Sequence, residues 1–307
     1  MGSSEMHIPD GFLAPPVWGA LWVVSAPAVV VATRRAQCDL DESKVPMMGV
    51  LGAFVFAAQM VNFPLGAGTS GHLLGGALLA AALGPAPAIV VMTAILTLQA
   101  LIFQDGGLLA LGANLFNMAL AGTLAGYWPW RALAGGRFNR IGLFAGGFCS
   151  VLVCALLALS ELSVSGVRFG SAAMSLALGV FLVNAVLEGL ITLAVATSLE
   201  AIRPGWLKAK AGAGSPALLL LFAFATLLAS VGFLFASTHP DGVEHLARMT
   251  GLISHERRFF QAPLADYEIA LSGSVWIRKA IAGLTGLLLA AATCLALARW
   301  IGRWRRA

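Results

Sequence analysis

Two of the five histidines keep unusual company. His7 stands in MHIPDGFL, residues 6–13, immediately ahead of a long apolar run. His72 stands in NFPLGAGTSGHLLGG, a glycine-rich turn that leads into a short apolar segment. Imidazole is the commonest side-chain metal ligand and also titrates near neutral pH. The glycines around His72 let backbone approach a bound species closely. A lone histidine in such a loop usually serves structure, so what matters is whether the two can meet. Other polar groups cluster in QALIFQDGGLLALGANLFNM, where Gln99, Asp105, Asn114 and Asn117 could hold a histidine ring from behind or join helices by packing hydrogen bonds. Glu188 sits inside the apolar run NAVLEGLITLA, a costly place for an acid, and is expected to order the core or touch a partner protein. His239, His245 and His255, with Asp241 and Glu244, fall in a polar stretch that reads as solvated surface. Cys38, Cys149, Cys154 and Cys294 show no metal spacing and read as small packing residues.

The elements that must position these groups are membrane helices. Of 307 residues, 59% are hydrophobic and 11% charged, against about 25% charged in soluble domains. The chain is therefore expected to be an all-α, polytopic transmembrane bundle in the cell's inner (plasma) membrane. About nine helical segments are expected, near 13–33, 47–62, 72–84, 86–103, 107–128, 141–160, 171–200, 215–236 and 275–300. The third is too short to cross about 30 Å of hydrocarbon and must be shielded by protein. The net charge of +5 is no nucleic-acid signal, because the basic residues lie in short loops and at the C-terminus.

Arg34, Arg35, Lys44, Arg131, Arg137, Arg140, Arg203, Lys208, Lys210 and the final RWIGRWRRA fall on one side if the segments alternate, with Arg278 and Lys279 as exceptions. That places the N-terminus outside and the C-terminus in the cytoplasm. Both histidine stretches then lie at the outer face. Residues 1–5 (MGSSE) read as a candidate leader, 6–202 as a core, 203–214 as a basic cytoplasmic linker, and 215–307 as a two-helix accessory module. That module carries its own exterior loop, 237–274.

No G-x-x-x-x-G-K-[ST] phosphate loop and no H-E-x-x-H or nucleophile elbow occurs. The chain carries no ATPase motif of its own and is not expected to be an enzyme. A membrane metalloenzyme lacks a carboxylate base beside His72, and a secondary transporter lacks the internal repeats.

MHIPDGFL, NFPLGAGTSGHLLGGALLAAALGP and LQALIFQDGGLLALGANLFNMA together resemble the substrate-specific membrane component of nickel and cobalt energy-coupling-factor importers, the NikM/CbiM family. The resemblance runs from residue 6 to about 200. THPDGVEHLA is similar to the PDGLE-type module fused behind that component in the NikMN arrangement. The resemblance implies capture of exterior Ni(II), with Co(II) as the alternative. The implied ligands are the main-chain nitrogen of Met6, the main-chain and imidazole nitrogens of His7, and His72. It also implies a transmembrane coupling protein and cytoplasmic ATPases as partners. Planar nitrogen donors suit Ni(II) or Cu(II), whereas zinc prefers a tetrahedron.

Overall fold

Within hydrocarbon every backbone donor and acceptor must be paired inside the protein, which leaves apolar runs of this length one outcome, the helix. The computed structural model describes residues 7–40, 44–66, 68–137, 139–205, 215–270 and 274–304. They form a helical bundle: α1 (Pro15–Asp39), α2 (Val45–Gln59), α3 (Gly76–Leu83), α4 (Pro85–Leu98), α5 (Leu111–Asn114), α6 (Thr123–Leu133), α7 (Asn139–Val164), α8 (Ser171–Ile202), α9 (Pro216–Val231), α10 (Gly242–Thr250) and α11 (Val275–Trp304). Among the described residues, six stretches are long and apolar enough to cross a bilayer: Pro15–Asp39, Pro85–Phe103, Asn139–Val164, Ser171–Ile202, Pro216–Leu234 and Val275–Arg303. Each expected segment is matched by a helix. Residues 1–6 and 206–214 lie outside the described residues, and with them Met6 and most of the expected linker.

Neighbouring helices touch through small residues. A methyl group added at Gly147 of α7 would sit 2.7 Å from the Glu188 carbonyl, and one at Gly189 of α8 would sit 2.7 Å from the Phe144 carbonyl. Such backbone approach is how helices associate where lipid offers no hydrophobic drive. The last helices are not set apart from the core. Gly52 of α2 meets Cys294 of α11, and Phe56 meets Gly286, so α11 runs antiparallel along α2.

α3 has eight residues, about 12 Å at 1.5 Å per residue, far short of a bilayer. The chain that leads into it is not helical. β1 (Phe63–Gly66) and β2 (Thr69–Gly71) form a short antiparallel hairpin with Phe63 opposite Gly71. The loop 72–75 then descends, fully buried, to the start of α3. At the far end of α3, Lys44 Nζ donates to the Leu83 carbonyl at 3.2 Å. The sequence predicts a shielded short helix here, but not the hairpin above it.

Among the described residues, two stretches wind as π-helix, Gln99–Phe103 after α4 and Leu115–Gly122 between α5 and α6. Such insertions recur at functional sites because they release backbone groups and re-aim side chains. Both flank the histidines.

One expectation is corrected. Residues 237–274 are not simply a polar exterior loop with a solvated acid–histidine cluster. They contain α10, whose N-terminus is capped by Asp241 Oδ1 accepting the Glu244 N–H at 2.7 Å. Asp241 and Glu244 are buried, while His239 and His255 are exposed and His245 half-buried. The signal was present as an Asp followed three residues later by Glu, a helix-start pattern.

Candidate metal site

The segment 7–14 precedes α1 and turns into the bundle instead of lying on it. Asn114, at the end of α5, grips it from both sides. Its Oδ1 accepts the Ile8 N–H at 2.8 Å and its Nδ2 donates to the Ile8 carbonyl at 3.1 Å. The Gly107 N–H donates to the same carbonyl at 3.0 Å. Asp10 makes the second anchor, its carboxylate accepting the Leu108 and Ala110 N–H groups at 2.9 Å each. The paired glycines of QDGG follow from this docking. A methyl at Gly106, where φ is +86°, would lie 3.0 Å from His7 Cβ, and one at Gly107 would overlap Asp10.

The His72 loop is held by a different set. Glu188, mid-way along α8, accepts the Leu74 N–H at 2.7 Å and the Gly75 N–H at 2.8 Å. Gln59 Nε2 donates to the Leu74 carbonyl at 2.8 Å, and Gln99 Nε2 donates to Gln59 Oε1 at 2.9 Å. A buried non-helical loop would otherwise carry unpaired donors at a cost of about 1–3 kcal/mol each. Glu188 therefore orders the core, one of the two roles open to it on sequence.

These supports bring His7 and His72 together. Their rings lie parallel, 7° apart in tilt, with centroids separated by 5.9 Å. His7 is 1% exposed and His72 fully buried. His72 Nδ1 sits 2.8 Å from the Leu73 carbonyl. As a donor there, Nδ1 carries the proton and leaves the lone pair on Nε2. Burial, reinforced by the His7 imidazole, lowers the His72 pKa to about 4. The ring is thus in its neutral, metal-ligating form at physiological pH.

His7 Nδ1 lies 3.0 Å from Asp105 Oδ1 at an angle poor for a hydrogen bond, and the buried Nε2 has no hydrogen-bond partner among the described residues. Asp105 Oδ2 accepts the Tyr267 hydroxyl at 2.6 Å. Burial pushes the Asp105 carboxyl up, but attraction to His7 and the Tyr267 hydrogen bond outweigh it, so the group stays below the ordinary carboxylate range. A carboxylate behind a histidine whose other nitrogen is unpaired is the usual outer arrangement of a metal ligand.

Of the groups named from sequence, Asp105 touches His7, Asn114 fixes its neighbour Ile8, and Gln99 acts two bonds removed through Gln59. Asn117 turns elsewhere and donates to Glu161 Oε2 at 2.8 Å. Asp10, Gln59, Glu161 and Tyr267 were missed. Asp10 was visible inside IPDG, but nothing in a sequence announces Tyr267, which reaches Asp105 across 162 positions.

Residues 7–206 match the family described as cobalt uptake substrate-specific transmembrane region, and residues 215–303 match the PDGLE domain. The chain belongs to the cobalt uptake substrate-specific transmembrane family. A relative from Archaeoglobus fulgidus, provisionally named fused nickel transport protein NikMN, is 33% identical over 302 residues, covering 96% of this chain and 99% of its own. The cobalt transport protein CbiM of Acetoanaerobium sticklandii is 39% identical over 134 residues, covering 43% and 55%. A crystal structure titled as a transition metal transporter superposes with a TM-score of 0.57 at 32% identity, covering 64% of this chain and 93% of that one. As a member of this family the chain is a multi-pass membrane subunit of a metal importer, not an enzyme, and the metalloenzyme alternative falls.

Proposed function

We propose that the chain captures Ni(II) at its exterior face for an ATP-driven importer of the energy-coupling-factor type. The proposed ligands are the Met6 main-chain nitrogen, the His7 main-chain and imidazole nitrogens, and the His72 imidazole. The observation that carries this reading is the buried, parallel pairing of two histidines 65 positions apart, each backed by its own scaffold. The neutral state of His72 and the unpaired His7 Nε2 support it further. If the chelate closes through the His7 main-chain nitrogen, it uses Nδ1, and the ring makes a half-turn away from Asp105. If the ring stays, it donates Nε2 with Asp105 behind Nδ1, and the His7 main-chain nitrogen drops out of the set, because it cannot reach the same ion as Nε2.

Nickel is preferred to cobalt because the nickel-named relative aligns along the whole chain, module included, whereas the cobalt-named relatives from Acetoanaerobium sticklandii, Methanosphaera stadtmanae and Methanocorpusculum labreanum cover 43%, 52% and 65% of it. Energy would come from a transmembrane coupling protein and cytoplasmic ATPases, since the sequence has no phosphate loop. The proposed units are the core 6–202 and the module 215–307, joined by the 203–214 linker.

Two measurements test the reading. Nickel titration of purified protein should give one ion per chain, and His72→Ala should abolish it. Vesicles should take up nickel with ATP only when coupling protein and ATPases are present. Unchanged binding by folded His72→Ala, or ATP hydrolysis by the isolated chain, would refute it.

A further inference from the structure

We propose that Tyr267, which belongs to the fused C-terminal module, is a positioning residue for the metal site: its hydroxyl fixes Asp105, and Asp105 fixes which face and nitrogen the His7 ring presents. The inference rests on the site reading above with the His7 ring as it stands, Nδ1 towards Asp105, and adds the residue that positions it. The two oxygens of Asp105 face different groups: Oδ1 makes an ion-pair contact with His7 Nδ1 at 3.0 Å, and Oδ2 accepts the Tyr267 hydroxyl at 2.6 Å. A carboxylate held at one oxygen cannot rotate freely, so the direction of the other is set from the module. The Tyr267 bond has the short length of a hydroxyl donating to an ionised acceptor.

The module is built to deliver that hydroxyl. Leu264 N–H donates to the Ile102 carbonyl at 2.9 Å, and Ala262 N–H donates to Gln104 Oε1 at 3.1 Å, pinning the strap to the chain just before Asp105. The Tyr267 ring stacks on Phe103 at 4.7 Å and 21° and leans on Phe56 at 6.4 Å. Asp266 and Tyr267 both adopt left-handed backbone, φ +57° and +55°, where a Cβ is crowded. Successive residues hold that conformation only when surroundings impose it. The chemistry also fits a cation site, because tyrosine satisfies a carboxylate without placing a positive charge beside a divalent ion. Lysine or arginine in its place would repel the cargo.

The test uses the full chain in detergent, Ni(II) alone as ligand, and four variants: Tyr267→Phe, Asp105→Asn, the double variant and His72→Ala. Phenylalanine keeps the stacking and removes only the hydroxyl. Tyr267→Phe should weaken binding by about tenfold, the lower end for loss of an outer-shell partner, and shift the ligand-field absorption of the nickel complex. Asp105→Asn should do at least as much, and the double variant should be no worse than Asp105→Asn, because both act along one path. A tyrosine that merely packs would leave the spectrum unchanged, or add its cost to that of Asp105→Asn. Either result, with His72→Ala still abolishing binding, overturns this inference and leaves the site reading intact. Nickel bound normally by His72→Ala overturns the site reading itself, and this inference with it.

Discussion

Asn114→Ala tests the docking of the N-terminal segment more directly than any ligand substitution. Asn114 is 2% exposed and makes both of its bonds to Ile8, which is itself fully buried. The Ile8 carbonyl keeps the Gly107 N–H, so its loss is small. The Ile8 N–H loses its acceptor and stays buried, which costs about 1–3 kcal/mol. Taking about 2 kcal/mol, the equilibrium for releasing residues 7–14 rises roughly thirtyfold, at 1.4 kcal/mol per factor of ten. Amide hydrogen exchange reads that equilibrium locally, since it reports opening of cooperative pieces as well as the whole fold. Peptides covering 7–14 should exchange roughly thirtyfold faster in Asn114→Ala while those from α7 and α8 are unchanged. Asn117→Ala is the control, because Asn117 is bonded to Glu161 and not to the segment. Nickel affinity should fall in Asn114→Ala by no more than the same factor, since only the released fraction loses His7. Unaltered exchange at 7–14, or equal acceleration in both variants, would refute the reasoning that Asn114 holds this segment in place.

Three further outcomes are expected. Glu188→Gln replaces one of two acceptor oxygens facing the Leu74 and Gly75 N–H groups by a donor, and should lower stability by about 1–3 kcal/mol in denaturant titration; no loss would remove Glu188 as the scaffold of the His72 loop. The His72 ring should titrate near pH 4 in NMR spectra of the protein before nickel is added, because burial disfavours the charged form. The unfolded chain binds more protons than the folded one between that value and about 6.5, so this histidine contributes stability above about 6.5 that is lost as pH falls towards 4; a midpoint near 6.5 in the folded protein would refute it. Cutting the chain within 206–214 and co-expressing the halves should preserve nickel binding, since the halves are joined by packing and hydrogen bonds; halves that purify apart would contradict this.

What was legible in the sequence was what local patterning controls. Apolar runs gave the helices, and the brevity of the third segment gave α3, because length against bilayer thickness is a one-dimensional property. The two histidines could be singled out for their company, but their meeting depends on scaffolds that no spacing reveals. Glu188 illustrates the limit. An acid in a span can be flagged as costly, yet its partners are two main-chain N–H groups more than a hundred positions away. The same holds for Asn114 and Ile8.

The stretch expected as an exterior loop, 237–274, was the largest misjudgement, and its cause is physical. Its composition is polar because one side meets water, so composition alone reads it as surface. The other side meets polar backbone: Ser70 N–H donates to the Pro240 carbonyl, Arg257 N–H to the Asp10 carbonyl and Ser237 N–H to the Asn62 carbonyl, at 2.9, 2.9 and 2.7 Å. A segment that covers loops must offer hydrogen bonds on both faces, and so looks hydrophilic throughout. Those bonds land on the chain bearing His7 and on the hairpin leading to His72. The burial of both rings therefore depends on residues beyond 237 as well as on the core. Carrying that cover in the same chain keeps it beside both histidines, so the residues beyond 237 help to build the pocket around the two rings.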